Sequence, residues 1–334
     1  MGDKDDRRLT RSIVTDLPYQ EEKENERGTL MNRRILLQSI ASAVGVTLAS
    51  SDLGAKTPRP SARRAQPLLI ETSDGAALYW KEWGTGKPIL FLHSWANSSD
   101  LWQYQMIHLS TAGFRCIAYD KRGHGRSNDP GQGYDYDTLA DDLATVIKTL
   151  DLRQVTLVGH SMGCGEIVRY LSRHGKERVI RIVLVAPTLP FLLKTADNPD
   201  GIDKAIAERV RAAWSMDFPK WLTDNTPPFF VPETSRAMLD WGVRMSFQTS
   251  LRAAIDCSRA FVETDFRSEL PSITLPTLIV QGDADVSAPL ERTGRRTAKL
   301  IPGSELRVYE KAPHGLMLTH IDRFNADLFA FVDQ

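Results

Sequence analysis

Gly159-His160-Ser161-Met162-Gly163 follows the apolar run Val155-Thr156-Leu157-Val158 and leads into a helical pattern over 163–174. A strand that turns this sharply into a helix brings backbone segments too close for side chains, which explains a glycine on either side of the serine. The turn leaves the serine hydroxyl exposed at the carboxyl edge of a sheet. The helix start adds free N–H groups and a positive dipole end where negative charge would develop. G-x-S-x-G alone arises by chance, and its place between an apolar strand and a helix is what gives it weight. Ser161 is therefore the candidate nucleophile.

On both sides of this turn, strand-like runs alternate with helical patterns, which predicts a mostly parallel sheet. Segments 68–72 and 77–83 flank Ser73-Asp74-Gly75 and read as an antiparallel hairpin at the sheet edge. The unbroken apolar run Ile89-Leu90-Phe91-Leu92 marks a buried strand over 88–93. Strands are also expected at 114–119, 155–158, 180–186, 277–280 and 306–309, and helices near 101–112, 138–150, 163–174 and 324–332. The alternation breaks over 188–262, where helical periodicity, a Thr226-Pro227-Pro228 break and many aromatics occur. The expected architecture over 68–334 is α/β, with a mostly parallel central sheet, helices on both faces and an inserted helical cap at about 188–262.

A serine at neutral pH needs a general base, and the base needs an acid to orient it. Gln281-Gly282-Asp283-Ala284-Asp285 follows one late strand, and Lys311-Ala312-Pro313-His314-Gly315 follows the next. Both loops lie at carboxyl ends of strands, on the same edge as Ser161, in the chain order serine, acid, histidine. His314 is the candidate base, and Asp285 and Asp283 compete as its acid. Of the seven histidines, His160 is expected beneath the turn, and His320 is the one competitor near His314. His108 and His174 fall in helical segments and His124 in a Gly-rich turn. None joins carboxylates at metal-ligand spacing, so no metal is expected. A tetrahedral intermediate needs two N–H donors. Met162 and Trp95 are the backbone candidates, with the Trp95 indole lining the acyl pocket. Trp214, Phe218, Trp221, Phe229 and Phe230 of the cap are further pocket candidates, or glue between cap and core. Trp95, Trp221 and Phe229 are taken as the substrate-binding set.

Lys plus Arg and Asp plus Glu balance at 42 each over 334 residues, which argues against a nucleic-acid partner. Cys116, Cys164 and Cys257 are odd in number and widely spaced, and read as buried free thiols. The first thirty residues mix acid and base without periodicity and are expected to be disordered. Arg33-Arg34 then precedes a mild, uncharged stretch rich in small residues, too short and weak for a membrane span. Residues 31–55 resemble a twin-arginine export signal, with Met31 as an alternative start. A Pro- and basic-rich linker closes the 1–67 head. The expected location is periplasmic or secreted, without stable membrane insertion after signal removal; without export it is cytoplasmic.

Several stretches together resemble the α/β-hydrolase superfamily, and within it the bacterial arylesterases and cofactor-free haloperoxidases or perhydrolases. They are Leu92-His93-Ser94-Trp95, Asp120-Lys121-Arg122-Gly123-His124-Gly125-Arg126-Ser127, Tyr134-Asp135-Tyr136-Asp137, Gly159-His160-Ser161-Met162-Gly163-Cys164-Gly165-Glu166 and Asn198-Pro199-Asp200-Gly201. The resemblance runs from about residue 69 to the C-terminus. Its spacing selects Asp285 as the acid and leaves Asp283 to shape the turn. It implies hydrolysis of small or aromatic carboxylic esters through an acyl-enzyme. Peroxide can replace water as the second nucleophile, and the resulting peracid can oxidise halide without haem, flavin or metal. Ser94 stands where the family has glycine, and Ala96 where strong perhydrolases often have proline. The first departure bears on the oxyanion turn, and the second favours ordinary ester chemistry. The alternatives are a peracid-forming haloperoxidase and a ligand receptor that keeps the triad. A dehalogenase would need a carboxylate at position 161. The expected partner is a small-molecule ester, and the oligomeric state is open, a homo-oligomer included.

Overall fold

A computed structural model describes residues 68–334. The 1–67 head, with its export-signal reading over 31–55 and its linker, lies outside the described residues. Eight strands form one sheet: β1 (Leu69–Glu71), β2 (Ala77–Trp83), β3 (Pro88–Leu92), β4 (Arg115–Tyr119), β5 (Val155–His160), β6 (Val179–Val185), β7 (Thr277–Gly282) and β8 (Glu305–Tyr309). Their order across the sheet is β1-β2-β4-β3-β5-β6-β7-β8. β2 runs antiparallel to both β1 and β4, and from β4 to β8 all neighbours are parallel. The β1–β2 connection turns at Gly75, whose φ of 88° suits glycine.

Alternation along the buried strands sorts side chains between two helical layers. Leu90 and Leu92 of β3 join a core with Leu139 and Leu143 of α2 (Tyr136–Thr149) and Ile167 of α3 (Met162–His174). Ile89 and Phe91 face the other way. They pack with Met106 and Leu109 of α1 (Gln103–Thr111), and with Phe324 and Leu328 of the closing helix α9 (Ile321–Val332). Strand residues that are apolar on both faces are what a sheet covered on both sides requires.

Between β6 and β7 the chain builds α4 (Lys204–Asn225), α5 (Arg236–Ser246) and α6 (Leu251–Glu263). Each begins at a polar cap: Asp203, Ser235 and Ser250 accept from the N–H groups of Ala205, Met238 and Ala253. α4 is broken at Asp217, with φ −156° and ψ 80°, two residues before Pro219. A proline ring disfavours helix in the residues before it, which accounts for the kink. Two further short α-helices are α7 (Gly294–Leu300) and α8 (Leu316–Thr319). No helix among the described residues is long and apolar enough to cross a membrane.

The sheet order places β3 between β4 and β5. The chain moves outward from β3 to β4 and then crosses back to β5 on the other side. Carboxyl ends of strands at such a reversal open a crevice, the usual ligand position in open α/β sheets. The turn after β3 and Ser161 after β5 flank it.

Candidate active site

Ser161 sits between the last residue of β5 and the first of α3, with φ 54° and ψ −114°. A non-glycine residue in this region is strained, and such strain persists only where the surroundings enforce it. Here they do. Ser161 N–H donates to Val185 O of β6 at 2.8 Å. A Cβ on Gly159 would lie 2.7 Å from Gly163 O, and one on Gly163 would lie 2.8 Å from Leu92 O. Both glycines of the motif are thus required by close backbone approach, as the sequence implied. The serine is only 5% exposed.

Asp285 and His314 meet across the β7 and β8 loops, with His314 Nδ1 2.7 Å from Asp285 Oδ2. The carboxylate has no proton to give, so Nδ1–H donates and Nε2 is left as the acceptor. That is the tautomer a general base needs. Asp285 Oδ1 accepts from the N–H groups of Ser287 at 2.9 Å and Ala288 at 2.8 Å. Its Oδ2 also accepts from Gln281 Nε2 at 2.8 Å. Asp283 plays the other part: its Oδ1 accepts from Lys311 N–H at 2.6 Å and ties the two loops together. His160 lies fully buried under the turn, and its Nε2–H donates to His314 O at 3.0 Å. Burial pushes the His160 imidazole well below its ordinary range, so the ring is a neutral strut. His320 instead pairs with Thr319 Oγ1 at 2.9 Å.

The turn after β3 is held by the strand beside it. Lys121 N–H donates to His93 Nε2 at 2.9 Å, so the ring proton is on Nδ1, which donates to Ser94 O at 2.7 Å. Lys121 Nζ donates to His93 O at 2.5 Å and pairs with Glu166 Oε2 at 3.2 Å. Trp95 O accepts from Asn97 Nδ2 at 3.1 Å and from Ser94 Oγ at 3.2 Å. Ala96 takes φ 50°, which a proline ring, fixed near −65°, cannot adopt. Met162 opens α3, so its N–H is one of the first-turn donors without an intrahelical acceptor.

The aromatics divide into two groups. Trp95 stacks on Trp214 at 4.7 Å and meets Trp221 at 5.9 Å and Phe218 at 6.1 Å, edge to face. Its Nε1–H donates to Ala254 O of α6 at 2.8 Å, so the indole binds turn to cap. Phe229 belongs elsewhere: its ring lies 5.8 Å from both His314 and His160, and its carbonyl accepts from Gly315 N–H at 3.0 Å. Trp214, Phe218 and Phe230 are buried and hold cap to core. A groove of about 440 Å³ opens at the α4 kink, walled by Trp214, Phe218, Pro219, Phe247, Thr249 and Leu251. All three cysteines are buried and free, and burial pushes the Cys116 thiol up to about 12. Among the described residues, no three His, Cys, Asp or Glu side chains converge as a metal site requires.

Sequence reasoning missed Gln281, Lys121 and Glu166. For Gln281 a signal existed, since it is the one polar side chain at the end of an apolar strand. For the other two, nothing local marks a charged residue for full burial.

The sequence matches the α/β hydrolase fold family over residues 87–321. The protein belongs to this family. It is 38% identical over 273 residues to non-heme chloroperoxidase CPO-A1 of Kitasatospora aureofaciens, covering 80% of this chain and 99% of the relative. It is 35% identical over 274 residues to the bifunctional esterase/perhydrolase DCH of Acinetobacter calcoaceticus, covering 79% and 98%. Among solved structures it is similar to an esterase from Exiguobacterium antarcticum, with TM-score 0.78 and 32% identity, covering 80% and 100%.

Proposed function

We propose that the protein is a serine hydrolase that cleaves small or aromatic carboxylic esters through an acyl-enzyme at Ser161. The observation that carries this is a strained serine at the start of α3, next in sequence to His160, whose Nε2 lies 3.0 Å from the carbonyl oxygen of His314, the histidine whose Nδ1 is 2.7 Å from a carboxylate. In the first half-reaction, Ser161 Oγ attacks the ester carbonyl carbon as its proton passes to His314 Nε2. Asp285 faces the imidazolium that forms. The oxyanion is received by the N–H groups of Met162 and Trp95. Collapse breaks the carbon–oxygen bond, and His314 returns its proton to the departing alcohol. In the second half-reaction water repeats the sequence, the acid departs and the serine regains its proton. The partly exposed rings of Trp95 and Trp221, backed by buried Trp214 and Phe218, suit an apolar acyl or aryl group.

A second acceptor is favoured by the relatives, one of which is an esterase/perhydrolase and one a non-heme chloroperoxidase. Hydrogen peroxide in place of water gives a peracid, which oxidises halide in solution while the triad is unchanged. A panel of aryl and alkyl esters of rising acyl length, with and without peroxide, separates the two acceptors. Ser161→Ala is expected to lower kcat about 10⁶-fold with the fold intact. An unchanged rate in that variant would remove the reading, and labelling by a fluorophosphonate without turnover would leave a receptor. Export through residues 31–55 is tested by N-terminal sequencing of the protein recovered from its cell.

A further inference from the structure

Gln281 is fully buried, yet its amide is only half satisfied. Its Nε2 donates to Asp285 Oδ2 and to Ala288 O, each at 2.8 Å, while its Oε1 has no hydrogen-bond partner among the described residues. The orientation of the amide is forced: reversed, its oxygen would face two acceptors. The stem is wedged between β7 and α7, where a Cβ on Gly294 would lie 2.8 Å from Oε1 and 3.2 Å from Gln281 Cβ. A leucine or methionine would fill the same volume without leaving a buried acceptor unpaired, which costs stability. The amide is therefore unhelpful as packing, and its use must lie with its donors. One donor reaches the same oxygen, Oδ2, that receives His314 Nδ1–H.

We infer that Gln281 is a positioning residue for the triad, an amide clamp that fixes the plane of the Asp285 carboxylate and through it the ring of His314. The Ser287 and Ala288 N–H groups hold Oδ1 from the loop. Without Gln281, Oδ2 is held by the histidine alone, and the pair can swing about the Oδ1 anchor. Asp285 Oδ2 then loses the donor that places it, and the imidazole loses its fixed approach to Ser161. The inference rests on the triad reading above.

Its test uses Gln281→Leu and Gln281→Glu in the full chain, with a p-nitrophenyl ester as substrate and Ser161→Ala as the control on the triad itself. Gln281→Leu is expected to lower kcat roughly 10- to 100-fold, the size seen when a partner that orients a functional group is removed. KM should stay within about two-fold, and kcat is compared per folded molecule because the variant loses two buried donor contacts as well as the unpaired Oε1. In Gln281→Glu the protonated carboxyl can still donate to Oδ2, and the ionised one cannot. The groups facing it are Asp285 and, beyond it, His314, with uncharged Gly294 on α7. Activity relative to the parent should therefore fall as pH rises, and Gln281→Leu should show no such trend. Full kcat in Gln281→Leu overturns the inference. If that variant does not fold, a Gln281→Glu profile parallel to the parent at any height overturns it. Activity in Ser161→Ala would instead remove the triad reading and leave Gln281 unassigned.

Discussion

Ser161 has two flanks, and they treat ionisable groups in opposite ways. On the β7–β8 flank, the Asp285 carboxylate collects four donors, from Gln281, Ser287, Ala288 and His314. On the β3–β4 flank, burial suppresses charge at several groups, although Arg122 there is held charged by Asp142 and Asp74. Burial pushes His93 well below its ordinary range, His124 down to about 4 and Lys121 down to about 7, and it raises Glu166 well above the carboxylate range. Burial penalises whichever form is charged, unless donors or opposite charges replace the lost water. The first flank gathers such donors around the Asp285 carboxylate. The second holds the turn bearing Trp95 with neutral rings, one tight Lys121 contact and the Trp95–Trp214 stack. One flank depends on directional hydrogen bonds, the other on packing and exclusion of water.

The sharpest way to break this contrast is Asp285→Asn. The amide would turn an N–H toward groups that are all donors, and the wrong histidine tautomer would follow. A fall in kcat of about 10⁴-fold is expected, with little change in melting temperature. A loss of fold with activity retained per folded molecule would show the carboxylate to be structural. Trp214→Ala should do the reverse on the other flank. Removing a buried tryptophan of the cap costs about 3–5 kcal/mol, read by urea unfolding. KM for aryl esters should rise while kcat falls less than ten-fold, as expected for lost uniform binding.

The pH dependence of stability sharpens the same comparison. A histidine whose folded pKa is depressed leaves the unfolded chain to bind protons first as pH falls. Stability is therefore full above the unfolded value of about 6.5 and declines below it, until the folded value is passed. For His124, held at about 4, the loss between pH 7 and pH 4 is about 3 kcal/mol. His93 and His160, which burial also pushes well below their ordinary range, act in the same direction. Urea midpoints at pH 7, 5.5 and 4 measure the decline, and His124→Asn should flatten part of it. The smallest effect is expected from Asp283→Asn, which weakens the loop tie to Lys311 N–H. A kcat within about ten-fold of the parent would separate Asp283 from Asp285, and a loss as large as that of Asp285→Asn would reverse their roles.

Much of this protein was legible in one dimension. The strand–turn–helix around Ser161 was readable because close backbone approach leaves room for glycine alone, a local demand written in the pentapeptide. The buried strands were readable because a sheet covered on both faces must be apolar on both, as Ile89-Leu90-Phe91-Leu92 is. The interruption before β7 showed as a loss of alternation, although its division into α4, α5 and α6 and the kink at Asp217 did not. Those depend on how caps and a proline act against a packed neighbour.

Tertiary structure decided which polar groups meet. No spacing rule joins Gln281 to the acid four residues on, because the contact depends on how the β7 loop folds back over its own strand. None brings Lys121 to His93 O and Glu166, which come from three elements made adjacent only by the order of the sheet. Nor could the sequence divide the aromatics, placing Trp221 with Trp95 and setting Phe229 against His314. Backbone geometry is a short-range constraint and leaves its mark in adjacent residues. The burial that neutralises a histidine, and the donors that surround a carboxylate, come from segments far apart in the chain and exist only once it has folded.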